Sequence, residues 1–242
     1  MRKLTLLVAL VLIAATANAQ SWGSKKIQGN GNLVTNNRDL GNYDEIGVAG
    51  SFDVILIAGK EGKITVEAEA NLQEYIITEV KGDKLKIYTK DGYNLNTSRN
   101  NGITITVPFE DINKVSMAGS GDVIGKDLIA ADHFECAVAG SGDMVLEVNA
   151  KDVSASVAGS GDLTISGKSE RSILKVAGSG DLDASDLKSI DAEASVAGSG
   201  DISLNCDGGD LKASVAGSGD IRYSGKPNNV NSKVVGSGSV SN

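Results

Sequence analysis

Six aspartates recur along the second half of the chain: Asp122, Asp143, Asp162, Asp181, Asp201 and Asp220, each closing a Gly-Ser-Gly-Asp run. Carboxylates repeated in this way admit three chemistries. A row of them coordinates a hard cation, and calcium is the natural candidate for an exported chain because it prefers carboxylate and carbonyl oxygens. Two unlike carboxylates facing each other across a cleft cleave glycosidic bonds. A carboxylate at a turn accepts hydrogen bonds from nearby backbone N–H groups. The six aspartates have the same neighbours, whereas an acid and its partner base need different ones. The residues therefore favour a structural turn first. A calcium or other cation ladder on the aspartate row comes second, and an adhesive, ligand-reading face third.

The rest of the chain offers little catalytic machinery. The single histidine, His133, stands beside Phe134 just before an apolar strand, where a surface or corner role fits better than catalysis. No nucleophile elbow, zinc spacing or phosphate loop is present. A non-catalytic protein is expected. The alternative is a pectin-lyase-like polysaccharide-processing enzyme working through carboxylates.

What must position the aspartates is a repeat. The residue before each Gly-Ser-Gly falls at Ala118, Ala139, Ala158, Ala177, Ala197, Ala216 and Val235, at intervals of 21, 19, 19, 20, 19 and 19. Inside each unit the period is two. Val138, Val157, Val176, Val196 and Val215 precede the alanine by one, and Cys136, Ala155, Leu174, Ala194 and Ala213 by three, with polar residues between. Apolar residues resume after the run at Val123, Met144, Leu163, Leu182, Ile202 and Ile221. This alternation marks half-buried strands. A strand–corner–strand unit of this size cannot bury its apolar face alone, but stacking coil on coil buries it. The expected fold is all-β, a right-handed parallel β-helix of about 19–21 residues per coil, with a less regular N-terminal β region. The leucine-rich frame that shares this period is missing.

Glycine supplies the backbone freedom of a sharp corner and lets stacked corners approach closely. Cys136 and Cys206 fall three coils apart and at different phases, roughly 14 Å along the stack at the strand spacing. That is beyond disulfide reach, so two free buried thiols are expected.

Arg2 and Lys3, the apolar run Leu4–Thr16 and Ala17-Asn18-Ala19 form a secretory leader with its cleavage site, so residues 1–19 are read as a signal peptide. The organisation expected is 1–19 signal peptide, 20–109 irregular β-strands with early coils capping the solenoid, and 110–242 regular β-helix. Losing Arg2 and Lys3 takes the net charge from −8 to −10. That balance excludes nucleic-acid partners and anionic lipid, and no segment of the exported part is apolar enough to insert in a membrane. Periplasm, cell surface or secretion from a Gram-negative bacterium is the expected destination. Surface polysaccharide or an envelope protein is the expected kind of partner.

In the front third, Ala49-Gly50-Ser51-Phe52-Asp53 reads as a worn copy of the corner. Alternation predicts strands at 53–57, 63–69, 75–80, 84–89 and 102–107. Hairpin-type links are expected at Lys60-Glu61-Gly62 and Lys81-Gly82-Asp83, a helical turn over Ala70–Glu74, and a polar loop over Tyr93–Asn101. The C-terminus is expected to fray from Pro227 onward, leaving an open edge that invites homo-oligomerisation.

The leader, Gly29-Asn30-Gly31-Asn32, Tyr43-Asp44-Glu45-Ile46, the run Val48–Val54 and the later Gly-Ser-Gly-Asp units together resemble the auto-transporter adhesin head domain (GIN domain) family of Bacteroidetes. The resemblance spans about Asn30 to the C-terminus. It implies a fold similar to the right-handed β-helix of pectin lyases without their catalytic residues, and a role in adhesion. It brings no established catalytic or binding residues.

Overall fold

The computed structural model describes residues 24–98 and 101–242; the expected leader lies outside the described residues. Successive coils stack in parallel and in register, giving a β-solenoid of about seven turns over residues 114–241. One coil shows the plan. Met144–Gly159 is an unbroken strand that bends midway. Met144, Leu146 and Val148 point inward before the bend, and Val153, Ala155 and Val157 after it. Because the side-chain period is two, every coil repeats this set. Val138, Val157, Val176, Val196 and Val215 form one continuous inner row, each paired with the next. The single 20-residue interval is absorbed where the pairing of 163–178 with 182–198 slips between Thr164 and Gly167.

Cys136 lies in the row of Val115 and Ala155, and Cys206 beside Ser189 in a different one. Both are free and buried, as their phases require. Burial pushes the Cys136 thiol up to about 12, and it raises that of Cys206 as well. Neither is poised as a nucleophile at neutral pH.

The regular stack begins earlier in the chain than residue 110. Strand Glu45–Gly50 pairs with Lys114–Gly119, and Asp53–Ala58 pairs with Val123–Gly125, so the worn copy is the first rung. The chain then leaves over residues 59–113 and builds the other end. Lys84–Thr89 adds a rung beneath Glu45–Gly50, and Ile76–Lys81 closes against it antiparallel, the hairpin expected at Lys81-Gly82-Asp83. On the other face Thr104–Phe109 pairs with Asp53–Ala58, followed by Lys63–Glu69 and then Leu33–Asp39, both antiparallel. Lys60-Glu61-Gly62 is therefore not a hairpin, because Thr104–Phe109 slots between the strands it links. The expected helical turn is a short 3-10 helix at Gln73–Tyr75. The expected polar loop begins as a strand, Tyr93–Asn96, paired with Lys25–Gln28.

Two buried carboxylates fasten this N-terminal end. Glu69, fully enclosed, accepts the N–H groups of Gly31 and Ser98. Burial raises its pKa, but these hydrogen bonds win and hold it below the ordinary value. Glu61 accepts the N–H of Tyr43 at 2.9 Å.

The imperfect copies of the corner are the two ends of the stack. In Gly-Ser-Gly-Asp the first glycine has φ near +135°, for instance +136° at Gly159, a region that L side chains avoid. At the second glycine a Cβ would lie 2.1 Å from the carbonyl oxygen of the corner beneath, as at Gly161 over Gly142. No corner lies beneath Ser51-Phe52, so Phe52 fits there and is buried against the end of the core. At the other end Ser239 takes the aspartate position and donates its N–H and hydroxyl to Asp220. The C-terminus does not fray: Asn229–Gly236 and Val240–Ser241 form a last paired rung.

Candidate functional site

The six predicted aspartates do form one row. Each uses its Oδ1 to accept the backbone N–H of the equivalent residue one coil on: Asp122 from Asp143 at 3.0 Å, Asp143 from Asp162 and Asp162 from Asp181 at 2.9 Å, and Asp181 from Asp201 and Asp201 from Asp220 at 2.8 Å. Asp53 opens the series under Asp122 at 3.3 Å, and Ser239 closes it, giving Asp220 both its N–H and its hydroxyl. Like charges at the strand spacing of about 4.8 Å repel by about 1 kcal/mol per pair in water. A hydrogen bond to a charged acceptor contributes about 1.5–3 kcal/mol. The backbone bond outweighs that repulsion. Arg222 holds Oδ2 of both Asp201 and Asp220 at 3.0 and 3.2 Å. Asp220 has its pKa held low by the Ser239 hydroxyl and amide and then by Arg222. Among the described residues no group of three or more acidic, histidine or cysteine side chains converges as a metal cage.

The bend on the opposite side of each coil carries a second column, six residues before the alanine: His133, Asp152, Arg171, Asp191, Asp210 and Asn229. His133, Asp152, Arg171 and Asp191 are paired in succession. Here side chains meet side chains at most rungs. His133 Nδ1 is 2.8 Å from Asp152 Oδ2, and Lys151 meets Asp132 at 2.7 Å. Higher up, Asp191 accepts the N–H of Asp210 and Asp210 accepts the Asn229 side-chain amide, both at 2.8 Å. The lysine hydrogen bond, with its charge, holds the Asp132 carboxyl below its ordinary pKa.

Beside this column opens a groove of about 680 Å³. Its origin is a divergence of two chain segments. Lys114 pairs with Glu135, but upstream the incoming segment 110–113 swings away from the strand Ile129–Gly140, whose first residues pair only with the coil above. The wedge between them is lined by Asp44, Asp111, Asp132, His133, Asp152 and Arg171, with Phe134 in its floor. The sequence reading placed His133 at the surface, where it is, but missed the groove. The charged column six before each alanine was the available signal.

The chain is thus a β-solenoid closed by an irregular β-cap at one end, with polar groups engaged coil to coil. The family model described as "Putative auto-transporter adhesin, head GIN domain" matches residues 42–227, and the chain belongs to that family. Three solved structures are similar to it. A "putative lipid binding protein" from Parabacteroides distasonis is 30% identical, with TM-score 0.74, covering 90% of this chain and 99% of that one. A "putative adhesin" from Bacteroides fragilis is 23% identical, with TM-score 0.81, covering 89% and 99%. Another "putative adhesin" from Parabacteroides distasonis is 24% identical, with TM-score 0.70, covering 90% and 99%. No curated protein matches the sequence.

Proposed function

We propose that this chain is an exported, non-catalytic adhesion module of the Gram-negative cell envelope, held in the periplasm or at the cell surface. Its contact site is the groove beside His133, Asp152 and Arg171, and its partner is a surface polysaccharide or an envelope protein. Export rests on the leader at residues 1–19, and adhesion on the family. The observation that carries the non-catalytic reading is the use of the repeated carboxylates. Each engages a backbone N–H in the same way from coil to coil, so none of the row is set apart as an acid or a base.

The test sets binding against turnover. The purified chain should retain on a panel of acidic and neutral polysaccharides or on envelope protein, and Arg171→Ala with Asp152→Asn should weaken retention without lowering the melting temperature. Turnover of any polysaccharide, abolished by one Asp→Asn change, would replace this reading with a glycan-processing enzyme.

A further inference from the structure

We propose that the groove takes an extended, basic peptide segment of a partner protein, which adds to the solenoid as an extra strand along residues 129–134. The inference rests on the reading of this groove as the contact site, and it names the chemistry of what enters. Strand Ile129–Gly140 has the next coil above it from end to end. Beneath it, Lys114–Gly119 begins only at Glu135, whose N–H reaches the Asn113 carbonyl at 2.9 Å. From Ile129 to Phe134 no strand lies beneath among the described residues. Alternate residues of a parallel ladder turn their N–H and C=O to the same side. Those of Ala131 and His133 therefore face the groove, as the Glu135 N–H faces Asn113. An unpaired edge of this kind is a template for a further strand. Six residues of edge run about 20 Å, enough for a short segment.

The side chains around the edge select the occupant. Six lining residues are carboxylates, against two permanent cations, Lys114 and Arg171. Lys114 is engaged by Glu135 at 2.9 Å. On the lower lip Asp44 and Asp111 are exposed, and among the described residues neither meets a cation. This balance repels an acidic polysaccharide. A neutral sugar finds no platform to stack on, since Phe134 is the one aromatic residue of the lining and is buried. A second copy pairing edge to edge would set Asp111 and Asp132 against their own kind. A strand whose side chains alternate meets both surfaces at once. Its inward residues are apolar, over Phe134 and Ile112, which are buried in the floor. Its outward residues are lysine or arginine, beside Asp44 and Asp111.

Three peptides test this on the purified chain: acetyl-Lys-Val-Lys-Val-Lys-amide, its glutamate counterpart, and the lysine peptide with its backbone amides N-methylated. The lysine peptide should bind in titration calorimetry and slow amide exchange at Ala131 and His133, leaving the Gly-Ser-Gly-Asp corners unchanged. N-methylation keeps the charge and removes the donors, so it should weaken binding at least about tenfold. The glutamate peptide should bind more weakly still. Asp44→Asn with Asp111→Asn should weaken the lysine peptide about fivefold. Asp91→Asn, an exposed carboxylate outside the groove lining, should not, and all three changes should leave the melting temperature unaltered.

Equal affinity for the lysine and glutamate peptides, or for the lysine peptide with and without N-methylation, overturns the inference. So does the absence of binding, or exchange protection that falls outside residues 129–134. The parent reading is scored separately. Retention on polysaccharide that Arg171→Ala with Asp152→Asn weakens, in a chain that binds no peptide, keeps the groove as contact site and overturns the strand as its occupant. Retention indifferent to that pair of changes removes the groove reading and this inference with it.

Discussion

The two bends of each coil solve the same electrostatic problem in opposite ways. At the Gly-Ser-Gly-Asp corner six identical carboxylates stack, and each is satisfied by the backbone of the next coil. At the other bend the column runs His133, Asp152, Arg171, Asp191, Asp210, and charges largely meet other side chains. The difference lies in the backbone. The tight corner directs an N–H of every coil at the carboxylate beneath, so an invariant aspartate is stable there. At the wider bend Asp191 accepts a backbone N–H of the next coil, while His133, Asp152 and Asp210 meet side chains, and composition varies coil by coil. The invariant corner is therefore a clamp between coils, and the variable bend is the surface on which the proposed contact site lies.

The sharpest test of that contrast is Gly161→Ala. Its Cβ would meet the Gly142 carbonyl at 2.1 Å, and a backbone clash of this kind should cost about 4 kcal/mol or prevent folding, as read by chemical denaturation. Next come matched aspartates. Asp162→Ala orphans the N–H of Asp181 and should cost about 1.5 kcal/mol, whereas Asp152→Ala at the other bend removes an exposed pair that contributes less than about 1 kcal/mol. Equal losses would erase the distinction between clamp and surface. Between the bends, Ser172 is buried with its hydroxyl unpaired. Ser172→Ala should stabilise the chain by about 1 kcal/mol, and a loss of stability would mean the hydroxyl has a partner.

Smaller effects concern charge. The Asp220 pKa is depressed in the folded chain, so its contribution to stability is present above its unfolded value of 3.8 and is lost as pH falls through the lower folded value. Ser239→Ala should flatten the acid limb of the melting curve below about pH 3.8. Smallest is the response to calcium. With each Oδ1 already engaged, midpoints in calcium and in chelator at pH 8 should agree within about 2 °C. A rise of many degrees would place a cation on the row.

Most strands were legible from alternation alone: Lys63–Glu69 and Lys84–Thr89 fall where the period-two pattern puts them. The misses have physical causes. Tyr93–Asn96 carries no clean alternation because it lies at an edge, in a two-stranded sheet with partly exposed side chains. Lys60-Glu61-Gly62 looks local, yet Thr104–Phe109, more than forty residues on, occupies the place its hairpin partner would take. Asn229–Gly236 is exposed and rich in Asn and Ser, so composition suggested fraying, while ladder bonds to Asp210–Gly217 order it. Glu69 had no signal, since its donors come from Gly31 and Ser98, far away in sequence.

By itself the sequence determined the coil, its inward rows, the separation of the two cysteines and the need for both corner glycines. All of these follow from a period of two inside a period near nineteen, and stacking only copies them. The tertiary structure decided which copies of the corner are ends, how the aspartates are held and where the groove opens. Those depend on contacts that no repeat encodes: a carbonyl one coil below, an N–H one coil above, and the path by which residues 59–113 leave the stack and return.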